Sequence, residues 1–365
     1  MLQQFASARA IPLFARPSAL PVCNPSVLPK FGVMDPVAVF AASPQELLAA
    51  RHALETGALR TNLQSQGSDL EFREQHRTSG NNGSAFYAPD FFSNLKTRAL
   101  GRVLLTSRAT TSTQSLLQDS LRSLPDGVVF VADKQVQGKG RGGNVWESPA
   151  GCLMVSAAMR LTISGQRLPF LQYLVSMAVV QAVREEAARC LQGGAGLEVR
   201  LKWPNDIYAG EYKIGGVLCH SAYRDRAFHL VWGLGLNVGN RAPTTCLDRL
   251  FEEAAVARSL PAPPPARPER LLASLLGWLE PAVDGLAQHG FQPFQPGYLR
   301  AWLHSGQRVE LEEAGSRVAL TIEGLTPDGY LLARDDAGLA YELHPDGNSL
   351  DFFRGLVRKK LPAAS

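Results

Sequence analysis

The sequence has few cysteines and no long apolar run. Its five cysteines are scattered through 365 residues, and no two of them have the Cys-x-x-Cys spacing of a zinc ribbon or a dithiol site. No stretch of apolar residues reaches the about 18 that a membrane-spanning helix needs, so we expect no membrane partner. We therefore expect buried free thiols in a reducing compartment, with no zinc site and no disulfide framework.

Acidic residues are absent from the first 34 positions. That segment carries Arg9, Arg16 and Lys30 among serines and prolines, and the first acid follows Met34 directly. A basic, serine-containing leader without acids is typical of organelle transit peptides. We interpret residues 1–34 as a transit peptide for the chloroplast or the mitochondrion, with a disordered tail as the alternative. Translation started at Met34 would give a cytosolic form without the leader.

The charge balance is only weakly informative about partners. Lysine and arginine number 37 and aspartate and glutamate 33, which gives a net charge of +4 and a pI near 8.8. This excess suits an anionic ligand but is too small to argue for nucleic acid. With 45% hydrophobic residues, the chain can bury one large core and a small satellite domain.

The pattern along the chain predicts an α+β protein. Residues 35–90 contain a helix start capped by Ser43 and then turn polar, which indicates an N-terminal extension and a linker. Residues 91–300 mix strand patterns with helices, including a strong amphipathic helix over 170–190. Over residues 301–365, short alternating strands separated by glycine turns predict a small β unit of about five strands.

A glycine-rich, cationic loop dominates the middle of the chain. Residues 138–143 read Gly-Lys-Gly-Arg-Gly-Gly, so Lys139 and Arg141 stand between bare backbone positions, and Trp146 follows. Glycines let successive N–H groups form a concavity that favours anions, and an arginine fork can bind a phosphate or a carboxylate at two points. Strand patterns before and after place the loop at the edge of a sheet.

This loop alone does not identify a ligand. Its order differs from the phosphate loop of nucleotide hydrolases, which needs Gly-Lys followed by Ser or Thr, and from the dinucleotide fingerprint. A flexible RNA contact and a plain surface turn both remain open at this point.

Three further segments share the character of the loop. Ser112 and Thr113 stand at a strand-to-helix junction, where an ordinary N-cap is the simpler interpretation. Lys213 lies beside two glycines in a hairpin arm, and other strand ends carry amide side chains. Polar groups gathered at several strand ends make a ligand site. The four segments are 112–114, 135–146, 203–216 and 233–237.

Taken together, these motifs resemble those of the biotin protein ligases, also called holocarboxylase synthetases. The resemblance rests on the loop of 138–143 with the following Asn-Val-Trp-Glu-Ser-Pro-Ala-Gly-Cys-Leu, and on Lys-Trp-Pro-Asn-Asp at 202–206. It also rests on Lys-Ile-Gly-Gly at 213–216 and Gly-Leu-Gly-Leu-Asn at 233–237. The ending over 342–361 is similar to the plant-type enzyme. The resemblance covers roughly residues 90 to 361 and is carried by the four motifs in this order.

The resemblance implies a fold and a two-step reaction. The fold is a mixed β-sheet catalytic domain with flanking helices over 91–300, followed by a small SH3-like β-barrel over 301–365. Biotin and MgATP give biotinyl-AMP and pyrophosphate, and the acyl group then passes to a lysine of a biotin carboxyl carrier domain. ATP and Mg²⁺ are the implied cofactors, and carrier domains of carboxylases, such as that of acetyl-CoA carboxylase, are the implied partners. No metal motif is present, so Mg²⁺ is expected to arrive with ATP near Asn205.

The resemblance also assigns site residues. Lys213 and Arg141 are expected to supply positive charge for adenylation, and Asp206 to orient the incoming lysine or accept its proton. The implied biotin-binding residues are Ser112, Thr113, Gln114, Gln135, Gly138, Lys139, Gly140, Arg141, Lys213, Gly215 and Gly216. The implied ATP-binding residues are Lys139, Arg141, Trp146, Asn205, Lys213 and Asn237.

Some positions depart from the pattern of the family. Lys139 stands where arginine is frequent, and Gln114 where bacterial members usually have asparagine. The first 90 residues match no DNA-binding domain, so we expect no specific DNA binding. Lipoate or octanoate ligases of the same fold are the main alternative, and an RNA-binding protein that uses the Arg/Gly loop is a more distant one.

Overall fold

The structure is a computed structural model that describes residues 34–74, 84–193, 197–313, 316–345, 348–351 and 356–359. The predicted leader, apart from Met34, lies outside the described residues. The helices are α1 (Pro44–Thr56), α2 (Ala58–Gln64), α3 (Ala88–Asn94), α4 (Thr113–Ser120), α5 (Phe170–Cys190), α6 (Leu247–Ala257), α7 (Pro268–His289) and α8 (Gln295–Ala301). The strands of the larger sheet are β1 (Val37–Ala41), β2 (Leu70–Phe72), β3 (Val103–Thr110), β4 (Val129–Gln135), β5 (Cys152–Leu161), β6 (Val199–Lys202), β7 (Asp206–Ala209), β8 (Tyr212–Arg224) and β9 (Ala227–Asn237). The smaller sheet contains β10 (Arg308–Glu313), β11 (Ser316–Leu325), β12 (Leu331–Asp335), β13 (Ala340–Leu343), β14 (Asn348–Asp351) and β15 (Leu356–Lys359).

The larger sheet is mixed, as the sequence predicts. Its nine strands run in the order β2-β1-β3-β4-β5-β9-β8-β7-β6. Strand β1 is parallel to β2, β3 is parallel to β4, and the other neighbours are antiparallel. The two longest ladders join β5 to β9 and β9 to β8, so these three strands form the centre of the sheet.

Both faces of this sheet are covered, which explains the continuous apolar pattern of β4. Val129 and Val131 pack into a core shared with α5 and α7, whereas Val128 and Phe130 pack with α1, α2 and α4 on the opposite face. Strands buried on both sides lose the alternation of polar and apolar residues. Helix α5 has the predicted bounds, but it is buried on nearly all sides because α7 packs along it.

The segment predicted as extension and linker contributes to the main sheet. Strand β1 pairs with β3, and β2 pairs with β1. Helix α2 also supports α4, since Asn62 Nδ2 donates to Ser120 Oγ at 3.2 Å and the Ala58 N–H donates to Ser123 Oγ at 3.0 Å. The structure differs here from the expectation for 35–90 because the apolar β1 extends the sheet from β3, and the three-residue β2 then pairs with β1.

The small C-terminal unit is a six-stranded sheet in the order β13-β12-β11-β10-β15-β14. Its inward side chains, among them Leu320 and Ile322, belong to the same core cluster as α5 and α7. Among the described strands no pairing joins β13 to β14, so the β unit is confirmed while the closure of the predicted barrel is not. No helix of the described part of the chain has the length and apolarity to cross a membrane.

Helix α7 holds the turn before β3 through one buried carboxylate. Glu280 accepts hydrogen bonds from the backbone N–H groups of Arg98, Ala99 and Leu100 at 2.8–2.9 Å, and it pairs with the Arg98 guanidinium. Burial raises the pKa of Glu280, but the backbone donors and Arg98 outweigh this effect and leave the pKa below its ordinary value of 4.5.

We expect Glu280→Gln to lower the free energy of unfolding by about 1–3 kcal/mol, because the amide leaves buried N–H donors unpaired. Since the folded pKa is lowered, the contribution is complete above pH 4.5 and is lost as the pH falls through the folded value. Denaturant unfolding at several pH values measures this difference. Asp284→Asn, one turn along α7 at a more exposed partner of Arg98, is the control and should cost less than about 1 kcal/mol. Equal losses for both variants would contradict the prediction.

Candidate active site

A cavity of about 700 Å³ opens over the centre of the larger sheet. It is bordered by the start of α4, the end of β4, the glycine loop, the turn between β6 and β7, and the middle of β5, β8 and β9. The predicted site residues that line it are Ser112, Thr113, Gln114, Gln135, Lys139, Gly140, Arg141, Trp146, Asn205, Asp206, Lys213 and Gly216.

One end of the cavity is lined by hydroxyl and amide groups. Gln135 Oε1 accepts from the Thr113 N–H at 2.8 Å, and it lies 3.1 Å from Thr113 Oγ1, which can donate to it. Gln135 Nε2 lies 3.4 Å from Ser148 Oγ. Ser112 caps α4 by accepting from the Ser115 N–H, so the N-cap role and the cavity position coexist. This end can orient a small neutral polar group.

Ser156 of β5 extends this polar end and was not predicted. Its Oγ lies 2.9 Å from Thr113 Oγ1 and donates to Gln114 Oε1 at 3.2 Å, while Gln114 Nε2 donates to the Val231 carbonyl. A single serine within the buried strand pattern of β5 is the sequence signal that could have found it. Gly233 faces the same place, because a Cβ there would stand 2.4 Å from Gln114 Oε1.

The opposite side of the cavity holds an ion pair. Lys213 Nζ lies 2.6 Å from Asp206 Oδ1, and both side chains are partly exposed to the cavity. Asn205 donates from Nδ2 to the Val217 carbonyl at 3.1 Å, which fixes its amide plane. A Cβ at Gly216 would stand 3.6–3.7 Å from the atoms of this pair, so glycine keeps the space beside it open.

The glycine loop closes on itself as a narrow turn. The Trp146 N–H donates to the Gly138 carbonyl at 3.0 Å, and the Gly140 N–H donates to the Asn144 carbonyl at 2.7 Å. Residues Arg141–Gly143 form a 3-10 turn in which Gly142 has a φ of +67°. That left-handed conformation favours glycine and lets the loop present Lys139 and Arg141 at the cavity.

Trp146 covers the strand floor of the cavity. Its indole packs against Gly235 so closely that a Cβ on that residue would stand 2.5 Å from the ring. Lys213 Nζ lies 5.6 Å from the ring centroid, within cation–π range. The Trp146 Nε1–H is buried on the Gly235 side of the ring and has no partner among the described residues.

Three predicted residues lie outside the cavity lining. Gly138 is buried, and a Cβ there would meet the Trp146 carbonyl at 2.4 Å, so it serves the closure of the loop. Gly215 lies in the β8–β9 ladder. Asn237 is buried beyond the cavity, where its Nδ2 donates to the Thr245 carbonyl at 3.1 Å.

Other lining residues were not predicted as site residues. Lys202 adds a cation next to the Trp-Pro-Asn-Asp turn, and its place in that motif was the available signal. Pro345 lines the cavity from the C-terminal unit, which no local pattern indicates. The described cysteines Cys152, Cys190 and Cys246 are buried and free, and Cys219 is partly exposed and free, so no disulfide forms among them. The described residues include no cluster of three metal-ligating side chains.

Sequence comparison places these segments in a family. Residues 106–237 match the model of the Biotin/lipoate A/B protein ligase family. The chain is 42% identical over 282 residues to Biotin–protein ligase 2 of Arabidopsis thaliana, an alignment that covers 76% of this chain and 83% of the relative. It is 41% identical over 275 residues to the chloroplastic Biotin–protein ligase 1 of Arabidopsis thaliana, covering 74% of this chain and 73% of the relative.

A solved structure shares the fold. The biotin protein ligase from Aquifex aeolicus in complex with biotin and ATP has a TM-score of 0.51 and 23% sequence identity, covering 66% of this chain and 94% of that chain. At this level of identity the likeness supports the fold.

We expect Gly235→Ala to destabilise the protein by about 1–3 kcal/mol, because the new methyl group would displace the Trp146 indole. The same substitution in a Trp146→Ala background should cost less than about 0.5 kcal/mol, since alanine in a strand interior is ordinarily no worse than glycine. Thermal or denaturant unfolding of the four proteins of this double-mutant cycle gives the coupling energy. Equal costs in both backgrounds would show that the contact does not exist.

Proposed function

Because the chain belongs to the biotin–protein ligase family, we propose that its cavity activates biotin with ATP and passes the acyl group to a lysine of an acceptor protein. The observation that carries this proposal is the convergence of Lys139, Arg141 and Lys213 on one cavity with a neutral polar end. A carboxylate and a triphosphate are both anions, so bringing them together requires positive charge that is already in place.

The biotin ring is assigned to the hydroxyl and amide end. Thr113, Gln135 and Ser156 can exchange hydrogen bonds with a cyclic urea, which has two N–H donors and one carbonyl acceptor. The carboxylate of the acid would then lie toward the cations. This arrangement supports the implied roles of Ser112, Thr113, Gln114 and Gln135.

The nucleotide is assigned to the side of Trp146 and Asn205. The flat indole of Trp146 lines the cavity and suits a purine, and the glycine loop suits phosphates. Gly138, Gly215 and Asn237 would act through the backbone fold around the site, since their side-chain positions lie outside the lining.

Adenylation proceeds by displacement at phosphorus. A carboxylate oxygen of biotin attacks the α-phosphorus, the bond from that phosphorus to the bridging oxygen breaks, and pyrophosphate leaves. Lys213 and Arg141 stabilise the charge that develops on the phosphate oxygens. Asp206, 2.6 Å from Lys213, holds the ammonium group in position at the cavity.

Mg²⁺ fits this cavity as a companion of ATP. Asp206 is a single carboxylate beside the amide of Asn205, and no cluster of three metal-ligating side chains occurs in the described residues. Mg²⁺ commonly binds to one or two protein groups together with substrate phosphates and water, so Asn205 and Asp206 would be the residues that hold it. Bound there, it would neutralise phosphate charge.

Transfer to the acceptor requires an uncharged lysine amine. The amine attacks the carbonyl carbon of biotinyl-AMP, the bond from that carbon to the phosphate oxygen breaks, and AMP leaves. Asp206 accepts or orients the proton that the amine loses. The acceptors we propose are biotin carboxyl carrier domains of carboxylases.

A plastid location is proposed from the chloroplastic relative and the acid-free leader. We further propose the mitochondrion as a second destination and a cytosolic form that starts at Met34. Met34 is buried next to β1, and the Asp35 carbonyl accepts from Ser68 Oγ at 2.7 Å, so a chain that starts at Met34 retains every described strand. N-terminal sequencing of the protein from separated compartments tests both proposals, and a single full-length form in the cytosol would reject them.

Mixing the protein with ATP and either biotin or lipoate tests the reaction itself. We expect pyrophosphate release and an acyl adenylate with biotin, and transfer to a purified biotin carrier domain. Turnover of lipoate or octanoate alone would assign the chain to the lipoate branch of the family. RNA binding without any adenylate would reject the enzymatic proposal.

We expect Lys213→Ala to reduce the rate of adenylation by on the order of 10²-fold or more, because a preorganised charge at the phosphate is lost. Pyrophosphate release with biotin and ATP measures this rate. Lys134→Ala, at an exposed position of β4 outside the cavity lining, is the charge-matched control and should keep the wild-type rate. A Lys213→Ala variant with wild-type adenylation would remove this lysine from its proposed role.

A further inference from the structure

Trp203, at the turn between β6 and β7, is held by two buried polar side chains. Its backbone N–H donates to His304 Nε2 at 2.9 Å, and its indole Nε1–H donates to the Tyr173 hydroxyl at 2.7 Å. All three residues are buried, with His304 at 0% exposure. Neither Tyr173 nor His304 lines the cavity, so neither contacts a substrate bound there.

Both partners of Trp203 are fixed in turn by the C-terminal unit or the segment leading to it. The Tyr173 hydroxyl donates to the Gly329 carbonyl, 2.5 Å away, in the turn between β11 and β12. His304 Nδ1 lies 3.1 Å from Gln307 Oε1. Because Nε2 accepts from Trp203, the proton is on Nδ1, which donates to Gln307. The Gln307 carbonyl accepts from the Ile322 N–H of β11 at 2.9 Å.

The residues that follow Trp203 carry the charged side of the cavity. Gln172 Nε2 donates to the Pro204 carbonyl at 2.9 Å, so this turn has a third anchor on α5. Asn205 and Asp206 come next, and Asp206 pairs with Lys213. A displacement of Trp203 would therefore shift the groups that face the nucleotide.

The polar end of the cavity is built independently of these contacts. Thr113, Gln135, Gln114 and Ser156 bond to one another and to the Val231 carbonyl, and none of these bonds involves Trp203 or its partners. A substitution of Tyr173 or His304 should therefore disturb the charged side of the cavity more than its polar end.

His304 is suited to a fixed role. Burial lowers its pKa to about 4, with Lys202 adding to the effect and the hydrogen bond to Gln307 opposing it. The ring therefore stays neutral near pH 7 and keeps Nε2 available as an acceptor.

We propose that Tyr173 and His304 are positioning residues for adenylation, which hold Trp203 and thereby place Asn205, Asp206 and Lys213 toward the nucleotide. This inference rests on the proposed function. It assigns to the C-terminal unit, through Gly329 and Gln307, a part in placing the catalytic cation.

Tyr173→Phe tests the proposal because it removes only the hydroxyl. We expect kcat/KM for ATP in pyrophosphate release to fall by about tenfold or more, since small displacements of catalytic groups are costly. The Kd for biotin, from titration calorimetry without ATP, should stay within about twofold of wild type. Tyr298→Phe is the matched control, because Tyr298 stacks on Tyr173 with centroids 4.8 Å apart and no described hydrogen bond joins it to Trp203. It should behave as wild type.

The substitutions His304→Gln and His304→Asn give a second test, because each amide side chain can replace the hydrogen bond of only one ring nitrogen. Glutamine can place an acceptor near the position of Nε2, and asparagine can replace only the bond near Nδ1. We expect His304→Gln to keep most of the ATP-dependent rate and His304→Asn to lose it, with both binding biotin normally.

The outcomes separate this inference from the proposed function. A wild-type protein that forms no biotinyl-AMP would overturn the proposed function. If the wild type forms it and Tyr173→Phe matches Tyr298→Phe, the positioning role is wrong. Equal loss of biotin and ATP affinity, or equal effects of glutamine and asparagine at His304, would also overturn it and indicate a general effect on packing.

Discussion

The site depends on holding a lysine cation beside a carboxylate without filling the space around them. The Lys213–Asp206 pair is 2.6 Å long and borders an open cavity, and Gly216 leaves room where any side chain would stand against the pair. A cation fixed in this way needs little reorganisation when an anion arrives. Gly140 and Gly142 of the loop serve the same need, because they line the cavity without side chains and let Lys139 and Arg141 approach a ligand closely.

The rest of the fold supplies rigid attachment for this pair and for the polar end opposite it. On one side, α2 and its neighbours hold α4, whose first turn carries Ser112 and Thr113. On the other, α5 and the segment after α8 hold Trp203 and the turn that follows. The two halves of the cavity thus have separate supports, which suits a reaction in which an acid and a nucleotide must be bound and then brought together.

Because the two sides of the cavity have separate supports, the two ends of the described chain also contribute to the site. The segment over 35–72 and the small C-terminal sheet are both distant in sequence from the motifs, yet each is tied by hydrogen bonds to one side of the site. Membership of the biotin–protein ligase family accounts for the motifs themselves. How they are held in place is a property of this chain's packing.

The sequence by itself determined the chemistry and most of the local structure. The bounds of α5 follow from the apolar period of its residues, and Lys139 and Lys213 are marked by neighbouring glycines, because periodicity and glycine spacing act locally. The mixed sheet and the binding role of Thr113 were implied by the motifs that resemble the family. Only the tertiary structure decided that β1 and β2 join the main sheet and that Asn237 lies outside the cavity lining. It alone brought Tyr173 and His304 to Trp203, since these hydrogen bonds span 30 and 101 residues and no local pattern encodes a contact at such separations.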